Sequence, residues 1–144
     1  MQRKPIHILL VEDNPGDARL AMEVFKHNGL PKTLSVVKDG EEALAFLRRE
    51  GIFVNASRPD LILLDLNLPK KDGRVVLAEI KGDTNLRRIP VIILTTSCDE
   101  EDILRAYDLN ANCFLAKPLD LDEFTKVIEG IENFWLKMVE LPRE

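Results

Sequence analysis

Histidine and cysteine are scarce, with two of each among 144 residues. His7 and His27 stand far from Cys98 and Cys113, and the cysteines are not in C-x-x-C spacing. That speaks against a zinc site and reads both cysteines as reduced thiols of a reducing cytosol. No excess of positive charge is present: 20 Lys and Arg face 25 Asp and Glu, a net charge of −5. Nucleic acid and anionic membranes are therefore not expected as partners. No apolar run approaches the roughly 18 residues of a membrane span. Neither G-x-G-x-x-G nor G-x-x-x-x-G-K occurs, which argues against a nucleotide-binding module. Met1-Gln2-Arg3-Lys4-Pro5 leads into no long apolar segment, so no signal peptide is expected and a cytoplasmic location is. The composition, 45% hydrophobic and 31% charged, is that of a globular chain. Its length suits one domain over residues 1–144, with no output domain.

The most informative stretch is Leu61-Ile62-Leu63-Leu64-Asp65-Leu66-Asn67-Leu68-Pro69. Four apolar residues bounded by prolines read as a strand buried on both faces. Asp65 then sits at its carboxyl end, where open α/β sheets bind ligands. An unpaired buried carboxylate is costly, so a cation, a partner charge or a reaction is expected there.

The rest of the chain alternates around this strand. Ile6 to Val11 is a first strand, with His7 at its start read as a solvated edge residue. Asn14 and Pro15 open a helix carrying Ala18, Ala21, Met22 and Phe25, which Gly29 ends. Thr33 to Val37 is a strand, Glu41 to Glu50 a helix and Gly51 to Pro59 a loop. A helix with Val76, Leu77 and Ile80 precedes the strand Val91 to Leu94. Ser97 or Asp99 caps a helix whose apolar side is Ile103, Ala106 and Tyr107. Cys113 to Ala116 is the fifth strand. Asp120 and Glu123 form a capping-box-like pair before a helix running to about residue 139, with Phe124, Val127, Ile128, Ile131, Trp135 and Met138 in one stripe. Five strand–helix alternations predict a doubly wound parallel sheet covered on both faces.

Four strand ends then carry polar residues: Glu12 and Asp13, Asp65, Thr95 and Thr96, and Lys117. If strands one, three, four and five are neighbours, these groups converge. Clustered carboxylates repel unless a cation neutralises them. Oxygen donors without imidazole or thiolate favour Mg²⁺ or Mn²⁺. Cation, ammonium and hydroxyl together suit a transferring phosphoryl group, with Asp65 as nucleophile.

Taken in order, Leu10-Val11-Glu12-Asp13-Asn14, Asp39-Gly40, Glu42-Ala43-Leu44, Pro59 to Pro69, Asp72-Gly73, Ile89 to Thr95 and Lys117-Pro118 resemble the receiver domains of two-component response regulators. The resemblance spans Ile6 to about Ile131. It implies a flavodoxin-like five-stranded sheet of order 2-1-3-4-5. It also implies Asp65 as phosphoacceptor, Asp13, Glu12 (through water) and the Asn67 carbonyl as Mg²⁺ ligands, and Thr95 and Lys117 on the phosphoryl oxygens. Phe114 falls where the family carries a switching aromatic, though alone it reads equally as core. The Lys117-Pro118 bond is often cis in that family. Glu12 stands where Asp is frequent, and the Gly51 to Pro59 loop is long. That loop, Asn14-Pro15-Gly16-Asp17 and Phe134-Trp135-Leu136 are similar to single-domain regulators paired with phytochrome-type histidine kinases.

The function expected is thus a non-enzymatic phosphoacceptor that signals by contact with a downstream protein. A Mg²⁺-dependent phosphatase or phosphotransferase is the alternative. Such an enzyme would need a carboxylate two residues after the nucleophile, where Asn67 stands. Trp135 and Met138 lie beyond the expected core, so they cover a sheet edge or meet a second subunit, and dimerisation through the last helices is an expectation.

Overall fold

The computed structural model describes residues 5–27 and 30–143. The expected helix stop at Gly29 and the opening residues 1–4 lie outside it. The elements are β1 (Ile6–Val11), α1 (Pro15–His27), β2 (Lys32–Val37), α2 (Gly40–Arg48), β3 (Leu61–Leu64), α3 (Gly73–Gly82), β4 (Val91–Thr95), α4 (Glu100–Asp108), β5 (Cys113–Ala116) and α5 (Leu121–Ile131). All five strands are parallel, in the order β2-β1-β3-β4-β5. This is the doubly wound, flavodoxin-like sheet that the alternation and the resemblance predict.

Burial explains the composition of the strands. β3 and β4 are buried at every residue, and β1 at all but Ile6, so apart from His7 and the terminal Thr95 their sequences are apolar. The edge strands β2 and β5 are mostly half-buried and more mixed. Successive strand residues face opposite cores. Leu9, Val11, Ile62, Leu64 and Ile93 pack with α2 and α3, whereas Ile8, Leu10, Leu61, Leu63 and Ile92 pack with α1 and α5.

Local chemistry sets the helix starts. Asn14 Oδ1 accepts from the Asp17 N–H (3.1 Å), Asp39 from Glu42 (2.8 Å), Asp72 from Arg74 (2.8 Å) and Asp99 from Asp102 (2.8 Å). Of the two candidate caps on α4, Asp99 is the one used. Asp120 takes the N–H groups of Asp122 and Glu123, but the Glu123 carboxylate goes to Lys126 rather than back to the cap.

Four expectations are corrected. His7 is buried, 7% exposed, because β1 is an inner strand and the Arg58 carbonyl comes up to its ring. Its ring meets Phe46 edge-on at 5.9 Å, and its Nε2 lies 2.8 Å from Ser35 Oγ. Burial lowers its pKa, against the opposing pull of the Arg58 carbonyl and the Asp60 charge. Tyr107 is exposed; only Ala106 of α4 is buried. No peptide bond among the described residues is cis, so Lys117–Pro118 is trans. Lastly, the α5 stripe does not continue in phase. A π-helical turn over Glu132–Leu136 rotates the later residues, and the helical run stops three residues short of 139. Leu136 is buried and Trp135 packs half-buried against Cys113 on the edge strand, but Met138 is 73% exposed.

That π turn holds Glu132, which is fully buried. Its carboxylate lies 3.0 Å from Lys32 Nζ, a contact of charge, since neither oxygen has an aligned hydrogen bond. Lys32 also donates to the carbonyls of Phe25 and Leu30, both at 2.8 Å. One ammonium therefore ties the end of α1, the start of β2 and the end of α5. Lys32→Met strands a buried carboxylate, and urea unfolding should show a loss of about 3–5 kcal/mol. Adding Glu132→Leu should restore most of it.

Candidate functional site

The carboxyl ends of β1, β3, β4 and β5 meet along one edge of the sheet. Ladder hydrogen bonds run one residue past the strands and pin the site's backbone. Glu12 N–H donates to Val37 O (3.0 Å), Asp65 N–H to Val11 O (3.2 Å) and Lys117 N–H to Thr95 O (2.7 Å). Gly73 lets α3 start against the loop carrying Asp65. A Cβ there would fall 2.2 Å from the Asp65 carbonyl oxygen, which only glycine avoids.

Lys117 is the hub. Its ammonium donates to Glu12 Oε1 (2.5 Å), Asp65 Oδ2 (3.1 Å) and Asp17 Oδ2 (3.1 Å), one acceptor for each of its three protons. Asp65 Oδ1 accepts from the Thr95 hydroxyl (2.8 Å) and from the Asn67 N–H (3.0 Å). Glu12 Oε2 accepts from the Asn14 N–H at 3.1 Å. Glu12, Asp65, Thr95 and Lys117 are all buried, whereas Asp13 and Asn67 are exposed.

The electrostatics follow from this crowding. Burial pushes the Glu12 carboxyl above its ordinary range and outweighs the hydrogen bonds from Lys117 and Asn14. For Lys117 burial acts to lower the pKa, but the Glu12 hydrogen bond and the charges of Asp65 and Glu12 prevail and push it up. The ammonium thus stays protonated. Three carboxylates share it, and Asp13 stands beside Glu12 and Asp65 without reaching it, so the pocket keeps an unmet negative charge.

A divalent cation fits that surplus. Carboxylate oxygens of Glu12, Asp13 and Asp65 lie within 4.8 Å of one another, and all are hard donors. The structure thus brings together Glu12, Asp13, Asp65, Thr95 and Lys117, with Asn67 on the rim, its side-chain amide donating to Ser97 Oγ at 2.6 Å. Phe114 stands apart from this polar cluster. It is half-buried on the same face of β5 as Ala116, the register partner of Thr95. Sequence reasoning does not single out Asp17. Its only signal is its place in the first turn of α1, one turn after Asp13.

The site has counterparts in known proteins. A family profile for the response regulator receiver domain matches residues 8–129. The response regulator Rcp1 of Synechocystis sp. is 52% identical over 138 residues, 96% of this chain and 94% of that protein. Its Mn²⁺-bound crystal structure superposes with a TM-score of 0.94, covering 96% of this chain and 100% of that one. The structure of the phosphorylated cyanobacterial phytochrome response regulator RcpA is 53% identical with a TM-score of 0.94, over 96% and 99% of the two chains. The bacteriophytochrome response regulator AtBRR is 41% identical at a TM-score of 0.74, over 96% and 100%.

The raised pKa of Lys117 has a measurable consequence. Below the ordinary lysine value of 10.5 its contribution to stability is complete. Above it the unfolded chain loses the proton before the folded one, so stability falls as pH rises. Urea midpoints taken from about pH 9 to about pH 11 should show this decline, and Lys117→Met should remove that part of it.

Proposed function

The chain belongs to the response regulator receiver family, and on that premise we propose that Asp65 accepts a phosphoryl group from a sensor histidine kinase of the phytochrome type. The observation that carries this reading is the convergence of Thr95, Lys117, Glu12 and Asp13 on the Asp65 carboxylate. It is supported by the likeness to RcpA, solved phosphorylated, and to Rcp1, solved with Mn²⁺.

An Asp65 oxygen forms the new bond to phosphorus as the bond from phosphorus to the donor imidazole nitrogen breaks, the electron pair leaving with the imidazole. Mg²⁺, held by Glu12, Asp13, Asp65 and the Asn67 carbonyl, would supply positive charge for the phosphoryl oxygens. Thr95 and Lys117, already bonded to Asp65, turn to those oxygens as donors. The modification adds about −1.5 to −2 charges. Thr95 leaving its resting bond frees the space that Phe114 takes up, and this biases the face formed by α4, β5 and α5. A full switch needs about 5.5 kcal/mol of differential stabilisation.

On this reading output is by contact with a downstream protein. Leu104, Tyr107, Leu119 and Leu121 are exposed on α4 and around the start of α5, and Phe134 and Met138 past its end. Exposed apolar groups in the π turn and just past it support a homodimer through the C-terminal segment. Sedimentation at high concentration should show dimers that Phe134→Ser with Met138→Ser dissociates; monomers throughout would exclude it.

The phosphatase reading has no acid–base group two residues past Asp65, since Asn67 supplies only an amide. Incubation with acetyl phosphate should add one phosphoryl group to the intact mass, only with Mg²⁺ and not in Asp65→Asn. Steady phosphate release without an adduct would favour the enzyme instead.

A further inference from the structure

Three carboxylates hold Lys117, and two of them carry other obligations. Glu12 and Asp65 belong to the oxygen set that fits a cation, and Asp65 also takes Thr95 and Asn67. Asp17 is outside that set. Its Oδ2 lies 3.1 Å from Lys117 Nζ, and its side chain is 31% exposed. It stands in the first turn of α1, where a carboxylate is favoured by the helix terminus alone. Yet its backbone N–H is already satisfied by Asn14, and its carboxylate turns to Lys117 from across the fold, 100 residues away in sequence.

We propose that Asp17 is a positioning residue for Lys117: it is the one anchor on the ammonium that a bound cation does not contest. This rests on the metal-site reading above. When a cation claims Glu12 and Asp65, Lys117 loses its two inner partners and is repelled by the new charge. Asp17 lets the ammonium yield to the cation without leaving the pocket. It therefore favours cation binding through the lysine rather than by contact with the metal, and keeps the lysine at hand for the phosphoryl oxygens.

The test is a double-mutant cycle read as Mn²⁺ affinity by calorimetry on the full chain, without phosphorylation. Asp17→Asn should weaken Mn²⁺ binding about fivefold when Lys117 is present, the size of a partly exposed ion pair. In the Lys117→Met background the same substitution should change affinity by less than about twofold. Asp17→Glu, whose longer arm still reaches the ammonium, should stay within about twofold of the unmodified chain. An equal loss in both backgrounds would mean that Asp17 acts only as bulk negative charge, and would overturn the proposal. So would no loss in either, or failure of Asp17→Glu to hold affinity. Absence of Mn²⁺ binding by the unmodified chain is a different failure, sinking the metal-site reading and this inference with it.

Discussion

A single ammonium among four carboxylates governs this molecule. Glu12 and Asp65 are both buried at adjacent strand ends. Two like charges about 4 Å apart in a partly hydrated interior repel by about 4 kcal/mol. Lys117 relieves that repulsion with a proton for each of Glu12, Asp65 and Asp17. Buried ion clusters seldom add net stability, because desolvation consumes most of the attraction. The arrangement is thus better explained by chemistry than by folding: the surplus negative charge invites a cation, and on the proposed function the ammonium waits beside the carboxylate that takes the phosphoryl group.

Stability comes from elsewhere. Each buried Leu, Ile or Val contributes about 1.5–3 kcal/mol relative to exposure, and β1, β3 and β4 supply a dozen such side chains to the two cores. The inner strands can therefore tolerate strained electrostatics at one end. At the opposite end of the sheet, Lys32 and Glu132 form a second buried pair. That pair binds α1, β2 and the C-terminal turn. The same two residue types thus serve chemistry at one end and connection at the other, according to what else lies within reach.

Much of this was legible in the chain. The unbroken apolar runs at Ile62–Leu64 and Val91–Leu94 are what burial on both faces requires, and the Asn14 and Asp120 caps stand where their helices begin. Errors arose where a side chain's surroundings depend on distant segments. His7 is polar and near a strand's start, features that read as solvated, but Phe46, Ser35 and the Arg58 carbonyl surround its ring. Met138 keeps helical spacing with Ile131, yet the π turn inserts a phase shift that spacing cannot reveal.

The sequence by itself determined the strand–helix alternation, the apolar runs and the polar residues at strand ends, because these follow from periods of two and about 3.6 residues and from neighbours within a few positions. Only the tertiary structure decided that Asp17 joins Lys117, that Lys32 meets Glu132, and that Phe114 stands outside the polar cluster. The first two depend on elements about 100 residues apart being brought together by helix packing, and the third on the register of β5 against β4. No local period in the chain encodes those meetings.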